Sequence, residues 1–201
     1  MTENSRIALV TGANQGIGLQ IAKDLAASGL TVLLASRNLE RGKAAAETIK
    51  GDVHPIQLDV TDPGSIQAAA TQIAQQFGRL DILINNAAVP MHRPIYEISA
   101  DEVEQVMRTN FMSCLWTSFA TIPHMLLQGE ASEQGGVIVN VSSFAATVVP
   151  PHETIYAASK GALITMTLSL ARALGPKIRV NAVCPGFIAT PWFEKGMGKQ
   201  A

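Results

Sequence analysis

Cysteines, aromatic residues and net charge are all scarce in this 201-residue chain. The two cysteines, Cys114 and Cys184, are far apart, with no C-x-x-C and no Cys/His cluster. That argues against a disulfide framework or a zinc site and for reduced thiols. Aromatic residues make up only 5%, too few for a base-stacking platform. Fifteen Lys and Arg against 16 Asp and Glu leave a formal net charge of −1, so no strong field draws the chain to nucleic acid or an anionic membrane. No apolar run approaches the roughly 18 residues of a bilayer-spanning helix. Residues 1–6 lack the basic start of a secretory leader, and no long apolar middle or small-residue cleavage site follows. The expectation is a soluble, cytoplasmic protein with neither nucleic acid nor membrane as partner. No repeat or low-complexity segment divides it, so residues 1–201 are expected to form one domain.

Against these absences, 47% of the residues are apolar, enough for a sizeable core. Short β-branched runs at Ile7–Val10, Thr31–Ala35, His54–Leu58, Asp81–Asn85, Val137–Val141 and Ile178–Val183 read as strands covered on both faces. Helical patterns fall between them, at Ile17–Ser28, Leu39–Ile49, Ser65–Phe77, Asp101–Leu127 and Tyr156–Leu174. Asp62 with Pro63 opens the third helix, and Ser99 with Glu102 forms a capping signal for the fourth. Gly29, Gly51, Gly78 and Gly175 are expected to close helices in a left-handed conformation. Strict alternation of six strands and five helices predicts an α/β fold. Its form is a doubly wound parallel sheet in three α/β/α layers, which binds ligands beyond the carboxyl ends of its strands.

The first strand runs into Thr11-Gly12-Ala13-Asn14-Gln15-Gly16-Ile17-Gly18 and then a helix. Gly12 permits the turn, Gly16 allows a pyrophosphate close to the backbone, and Gly18 lets helix and strand pack. The helix N-terminus offers free N–H groups to phosphate. The second strand ends in Ala35-Ser36-Arg37-Asn38, with Arg41 one turn on and no acid where a ribose 2′-hydroxyl would need one. A guanidinium suits a 2′-phosphate, which points to NADP(H) and leaves NAD(H) as the alternative.

Tyr156 and Lys160 share a helical face at i, i+4. An ammonium beside a phenol favours phenolate and is expected to bring the tyrosine down toward the working range of an acid/base. Ser143, 13 residues earlier at the end of the fifth strand, can donate a hydrogen bond to a substrate oxygen. Asn110 places an amide inside an apolar helical pattern, where it costs helix propensity. Met91, His92, Arg93, Phe144, His152 and Trp192 lie in loops at the same sheet edge and are candidates to shape a substrate pocket. No G-x-S-x-G elbow, P-loop or H-E-x-x-H pattern occurs, which disfavours hydrolase, nucleotide-hydrolysis and zinc-protease readings.

Taken together, TGANQGIG (11–18), LDV (58–60), NNAA (85–88), the Asn110 helix, VNVSS (139–143), YAASK (156–160) and RVNAVCPGFIAT (179–190) resemble the short-chain dehydrogenase/reductase superfamily, in its single-domain soluble, carbonyl-reductase-like branch. The resemblance implies that Tyr156 is the general acid/base and that Lys160 bonds the nicotinamide ribose and lowers the tyrosine pKa. It implies that Ser143 orients the substrate oxygen and that Asn110 holds a relay water. It places Asp59 and Val60 by the adenine, and Asn86 and Ala87 along the adenosine ribose. Pro185, Gly186, Ile188 and Thr190 would hold the nicotinamide end. It also implies a homodimer or homotetramer paired through the two long helices. Ala88 stands where the family usually has glycine, and the family's substrate lid, last helix and seventh strand are expected to be missing after Thr190.

These residues lead to an NADP(H)-dependent oxidoreductase that interconverts a carbonyl and an alcohol, with a small-molecule substrate and no metal. Two alternatives stand beside it. One is a catalytically weak or inactive dinucleotide-binding scaffold. The other is a dinucleotide-dependent epimerase or dehydratase, which shares the Tyr/Lys pair but would need a C-terminal sugar-binding segment.

Overall fold

Alternate residues of the short apolar strands face two different cores. In the computed structural model, which describes residues 5–131 and 135–188, β1 (Ile7–Val10) turns Ile7 and Leu9 to one side and Ala8 and Val10 to the other. β2 (Thr31–Ser36), β3 (Val53–Gln57), β4 (Ile82–Asn85), β5 (Gly136–Val141) and β6 (Ile178–Val183) complete an all-parallel sheet in the order β3-β2-β1-β4-β5-β6. α1 (Gly16–Ala27) and α2 (Leu39–Ala46) cover the face with Ala8 and Val10. α3 (Pro63–Phe77), α5 (Ser113–Ala131) and α7 (Thr154–Leu174) pack on the face with Leu9, Leu33 and Ile138. Covering both faces is why the strands are near-continuous apolar runs. Pro55 lies in β3, an edge strand, where a missing N–H is tolerated. The sequence boundaries of most strands shift by one residue, and β1 and β6 coincide with the expected runs.

The capping signals act as read. Asp62 accepts from Gly64 N at 2.9 Å with Pro63 in the first turn of α3. Ser99 and Glu102 form a reciprocal capping box on α4 (Ala100–Met107). Gly29, Gly51 and Gly78 have positive φ, but Gly51 lies beyond the end of α2 rather than at it. α2 ends at Ala46 instead of Ile49 because Thr48 Oγ1 takes the Ala45 carbonyl at 2.7 Å and the chain tightens into i→i+3 turns. Gly175 is extended (φ −68°, ψ 148°) rather than left-handed, as a residue before proline prefers.

The expected single helix from Asp101 to Leu127 is instead α4, a π-helical turn over Arg108–Met112, and α5. α6 (Ala145–Val148), a single short turn, was not evident in the sequence. At the start of β4, Asp81 is 4% exposed and accepts from Ile7 N at 2.8 Å and from Arg79 Nη2 at 2.6 Å. Asp81→Ala leaves that buried N–H without its acceptor and is expected to cost about 1–3 kcal/mol, read as a lower urea midpoint at unchanged slope. Among the described residues no helix is long and apolar enough to cross a membrane, and no group of His, Cys, Asp or Glu is arranged to hold a metal.

Candidate active site

The direction of the crossovers reverses between β1 and β4, and a cleft of about 880 Å³ opens there at the carboxyl ends of the strands. Its floor begins with the glycine loop. Gly12 (φ +63°) and Gly16 (φ +59°) adopt a backbone conformation that side chains disfavour. A Cβ on Gly12 would come within 3.0 Å of Ala87 Cα, so the loop after β1 lies directly against the loop after β4. A Cβ on Gly16 would meet nothing within 4 Å, leaving the backbone at the start of α1 open toward the cleft. This cradle fits a dinucleotide phosphate, which binds exposed N–H groups at a helix N-terminus. Asn14, Gln15, Ile17 and Gly18 line the cleft with it.

Thr11 and Asn86 lock the two loops together. Asn86 N and Ala87 N donate to Thr11 Oγ1 at 2.9 and 3.0 Å, and Asn86 Nδ2 donates to the Thr11 carbonyl at 2.9 Å. Behind them, Asn85 accepts from Thr117 Oγ1 (2.7 Å) and donates to Asn140 Oδ1 (2.9 Å), whose amide in turn donates to Thr167 Oγ1 (2.9 Å). These residues are all buried and mutually satisfied, so they rigidify the strand ends that carry the site.

Beyond the ends of β2 and β3, Arg37, Asp59, Val60 and Thr61 line the cleft. Burial pushes the Asp59 carboxyl up. Hydrogen bonds from Thr61, at 2.9 Å from N and 2.7 Å from Oγ1, together with the charges of Arg37 and Arg108, more than offset this and hold it below the usual range. Ser36, Asn38 and Arg41 lie outside the lining. Ser36 is buried in the sheet, Asn38 caps α2 by accepting from Arg41 N at 2.9 Å, and Arg41 is exposed.

At the other end, α7 starts two residues before Tyr156 and presents Tyr156 and Lys160 to the cleft, with Ser143 at the end of β5. The Ser143 hydroxyl accepts from Ala145 N at 3.1 Å and hydrogen-bonds the Tyr156 phenol, so the first turn of α6 orients it. Lys160 is 2% exposed and donates to the Val141 carbonyl at 2.7 Å, with Nζ 5.9 Å from the centre of the Tyr156 ring. The phenol therefore differs from the sequence expectation. Burial pushes it above its ordinary value, the Ser143 hydrogen bond draws it part of the way back, and the Glu153 carboxylate pushes it further up. Burial pushes the Lys160 ammonium down, opposed by Cys114 and Cys184.

Asn110 is fully buried and does not line the cleft. Its amide pairs with the backbone of Val89, accepting from N at 2.8 Å and donating to O at 3.0 Å, and also reaches Ser159 Oγ at 3.2 Å. The amide inside the apolar pattern thus anchors the cleft-lining loop at Val89, and it does so from the π-helical turn. Pro185, Gly186 and Ile188 line the cleft beyond β6, while Thr190 and Trp192 lie outside the described residues. Met91, His92 and Phe144 also face the cleft, as does Ala88, whereas Arg93 turns to Glu102 at 2.6 Å. Sequence reasoning missed Arg108 and Glu153, both on the lining. Glu153 was reachable, since it precedes Tyr156 by one helical turn.

A family model described as short chain dehydrogenase matches residues 6–200. The chain is 36% identical over 199 residues to a 3-oxoacyl-(acyl-carrier-protein) reductase of Thermotoga maritima, covering 97% of this chain and 79% of that protein. It is 39% identical over 195 residues to the 2-(R)-hydroxypropyl-CoM dehydrogenase of Xanthobacter autotrophicus, covering 93% and 76%. The crystal structure of a 3-ketoacyl-(acyl-carrier-protein) reductase from Brucella melitensis, complexed with NADH, superposes with a TM-score of 0.88 at 29% identity, covering 93% of this chain and 78% of that one. With the sheet order and the glycine cradle, these similarities establish that the chain belongs to the short-chain dehydrogenase/reductase family, oxidoreductases that bind nicotinamide dinucleotides.

Proposed function

We propose that the chain interconverts a carbonyl compound and an alcohol, with NADP(H) as the preferred dinucleotide and Tyr156 as the acid/base. The observation that carries this reading is the Ser143 hydroxyl, hydrogen-bonded to the Tyr156 phenol on the cleft wall. A bound dinucleotide would supply the hydride in reduction and accept it in oxidation. In reduction, Tyr156 delivers its proton to the substrate oxygen while Ser143 donates a hydrogen bond to the same oxygen as charge develops on it. A phenol held above its ordinary value stays protonated for this step. Lys160, whose Nζ donates to the Val141 carbonyl beside Tyr156, would bond the nicotinamide ribose hydroxyls. Asn110 acts as a positioning residue, because its bonds to Val89 fix the cleft-lining loop.

Gly12, Asn14, Gln15, Gly16, Ile17 and Gly18 would hold the pyrophosphate. Asp59, Val60, Asn86 and Ala87 would hold the adenosine, and Pro185, Gly186 and Ile188 the nicotinamide. Preference for NADP(H) is supported by Arg37, exposed on the lining after β2, where the strand end itself carries no acid and the Arg37 charge reaches the Asp59 carboxylate of the next strand end. Exposed Phe119, Leu127 and Leu168 on α5 and α7 support pairing of two copies through these helices.

The test is dinucleotide oxidation with a panel of ketones, aldehydes and quinones. Consumption of NADPH is expected, and Arg37→Ala is expected to raise the KM for NADPH about tenfold while leaving NADH within about twofold. Equal losses for both dinucleotides would remove the 2′-phosphate contact from the reading. Binding without consumption across the panel would favour a scaffold.

A further inference from the structure

One wall of the cleft carries a carboxylate that this chemistry leaves unused. Glu153 is the N-cap residue of α7, one turn before Tyr156, so both side chains leave the start of the helix on the same side. It makes no side-chain cap hydrogen bond, and its side chain is 18% exposed. Among the described residues, its one ionic neighbour is His92 Nδ1 at 3.7 Å, beyond hydrogen-bond distance. The carboxylate therefore faces the cleft with acceptor oxygens available, close enough to the phenol for its charge to push Tyr156 up.

Apart from the His92 imidazole beside Glu153, the basic groups nearby are engaged elsewhere. Arg108 donates to the Thr61 carbonyl at 3.2 and 3.1 Å, Arg93 pairs with Glu102, and Lys160 is bonded to Val141. Phe144, Val148 and Phe187 make the neighbouring lining apolar. An anionic substituent placed here would meet a like charge and, among the described residues, no free guanidinium or ammonium. A hydroxyl or ammonium would instead gain a charge-assisted hydrogen bond.

We infer that Glu153 forms a substrate subsite beside the reacting carbon, selecting carbonyl compounds and alcohols that carry a hydroxyl or ammonium close to that carbon and rejecting those with a carboxylate, sulfonate or phosphate there. Glu153 is on this view a specificity-determining residue, and the inference rests on the oxidoreductase reading above.

Three ketones of one skeleton test it: 2-butanone, 1-hydroxy-2-butanone and 2-oxobutanoate, each assayed for kcat/KM with NADPH and NADH. The wild type is expected to favour the hydroxyketone over the keto acid by about tenfold or more, the worth of one charge-assisted hydrogen bond. Glu153→Gln keeps the shape and removes the charge, and it is expected to cut that ratio about tenfold. Dinucleotide binding by the variant checks that it is folded. Turnover of 2-butanone with a ratio that Glu153→Gln leaves unchanged, or a wild-type preference for the keto acid, overturns the subsite and leaves the oxidoreductase reading standing. No dinucleotide consumption with these ketones or the wider carbonyl panel overturns that reading, and the subsite with it.

Discussion

Replacing Tyr156 with Phe is expected to lower kcat by about 10²–10⁴, the usual worth of a positioned general acid/base. The substitution removes one oxygen from a ring that is otherwise retained, so the fold and the cleft walls remain. Ser143 loses its phenol partner but keeps the Ala145 N–H. The Kd for NADPH is expected to change by about fivefold at most, the worth of one neutral hydrogen bond. Near-wild-type turnover by the variant would sink the proposed chemistry.

The pH dependence carries the same assignment, and its sign follows from burial. Burial and Glu153 hold the phenol above its ordinary value, so its proton is retained through neutral pH and lost only in the alkaline range. Reduction needs the protonated form and is expected to stay flat through neutrality, falling as the medium becomes alkaline. Oxidation needs the phenolate and is expected to rise over that same alkaline span. Steady-state kcat/KM against pH in both directions checks this, and both limbs should vanish in Tyr156→Phe.

Gly18→Ala is the second large effect. A Cβ at this position would collide with Asn86 Nδ2 and stand 2.7 Å from the Gly12 carbonyl and 3.1 Å from Ala13 Cα. None of these neighbours yields cheaply. The Gly12 and Ala13 atoms are backbone, and the Asn86 amide is bonded to the Thr11 carbonyl. Relief requires moving the glycine loop away from the loop after β4, which opens the cradle proposed to hold the pyrophosphate. The expected cost is about 1–3 kcal/mol of stability and at least a roughly tenfold weaker NADPH Kd, read by urea unfolding and fluorescence titration. Gly161 in α7 is the contrast, because a Cβ there meets nothing within 4 Å and its φ is ordinary. Gly161→Ala is expected to gain about 0.5–1 kcal/mol through helix propensity. Equal behaviour of the two variants would show that close loop packing is not what Gly18 provides.

The sequence by itself determined which runs are strands, to within two residues where most helices begin, and that the sheet is parallel with both faces covered. These are local properties. A run such as Ile7–Val10 is apolar at every position because each residue faces one core or the other, and Asp62, Pro63, Ser99 and Glu102 cap helices through partners two or three residues away. The spacing of Ser143, Tyr156 and Lys160 was legible for the same reason, since two of the three sit one turn apart on α7. Only the tertiary structure decided what faces each polar group. Asn110 turned out to hold Val89 and Asn86 to lock the glycine loop. The Tyr156 phenol is pushed up rather than down, because burial by distant segments outweighs what an i, i+4 lysine suggests when its ammonium is bonded to β5 instead. Periodicity reports which side of an element is buried. Hydrogen-bond partners and desolvation depend on residues 19 to 75 positions away, and no local pattern encodes those.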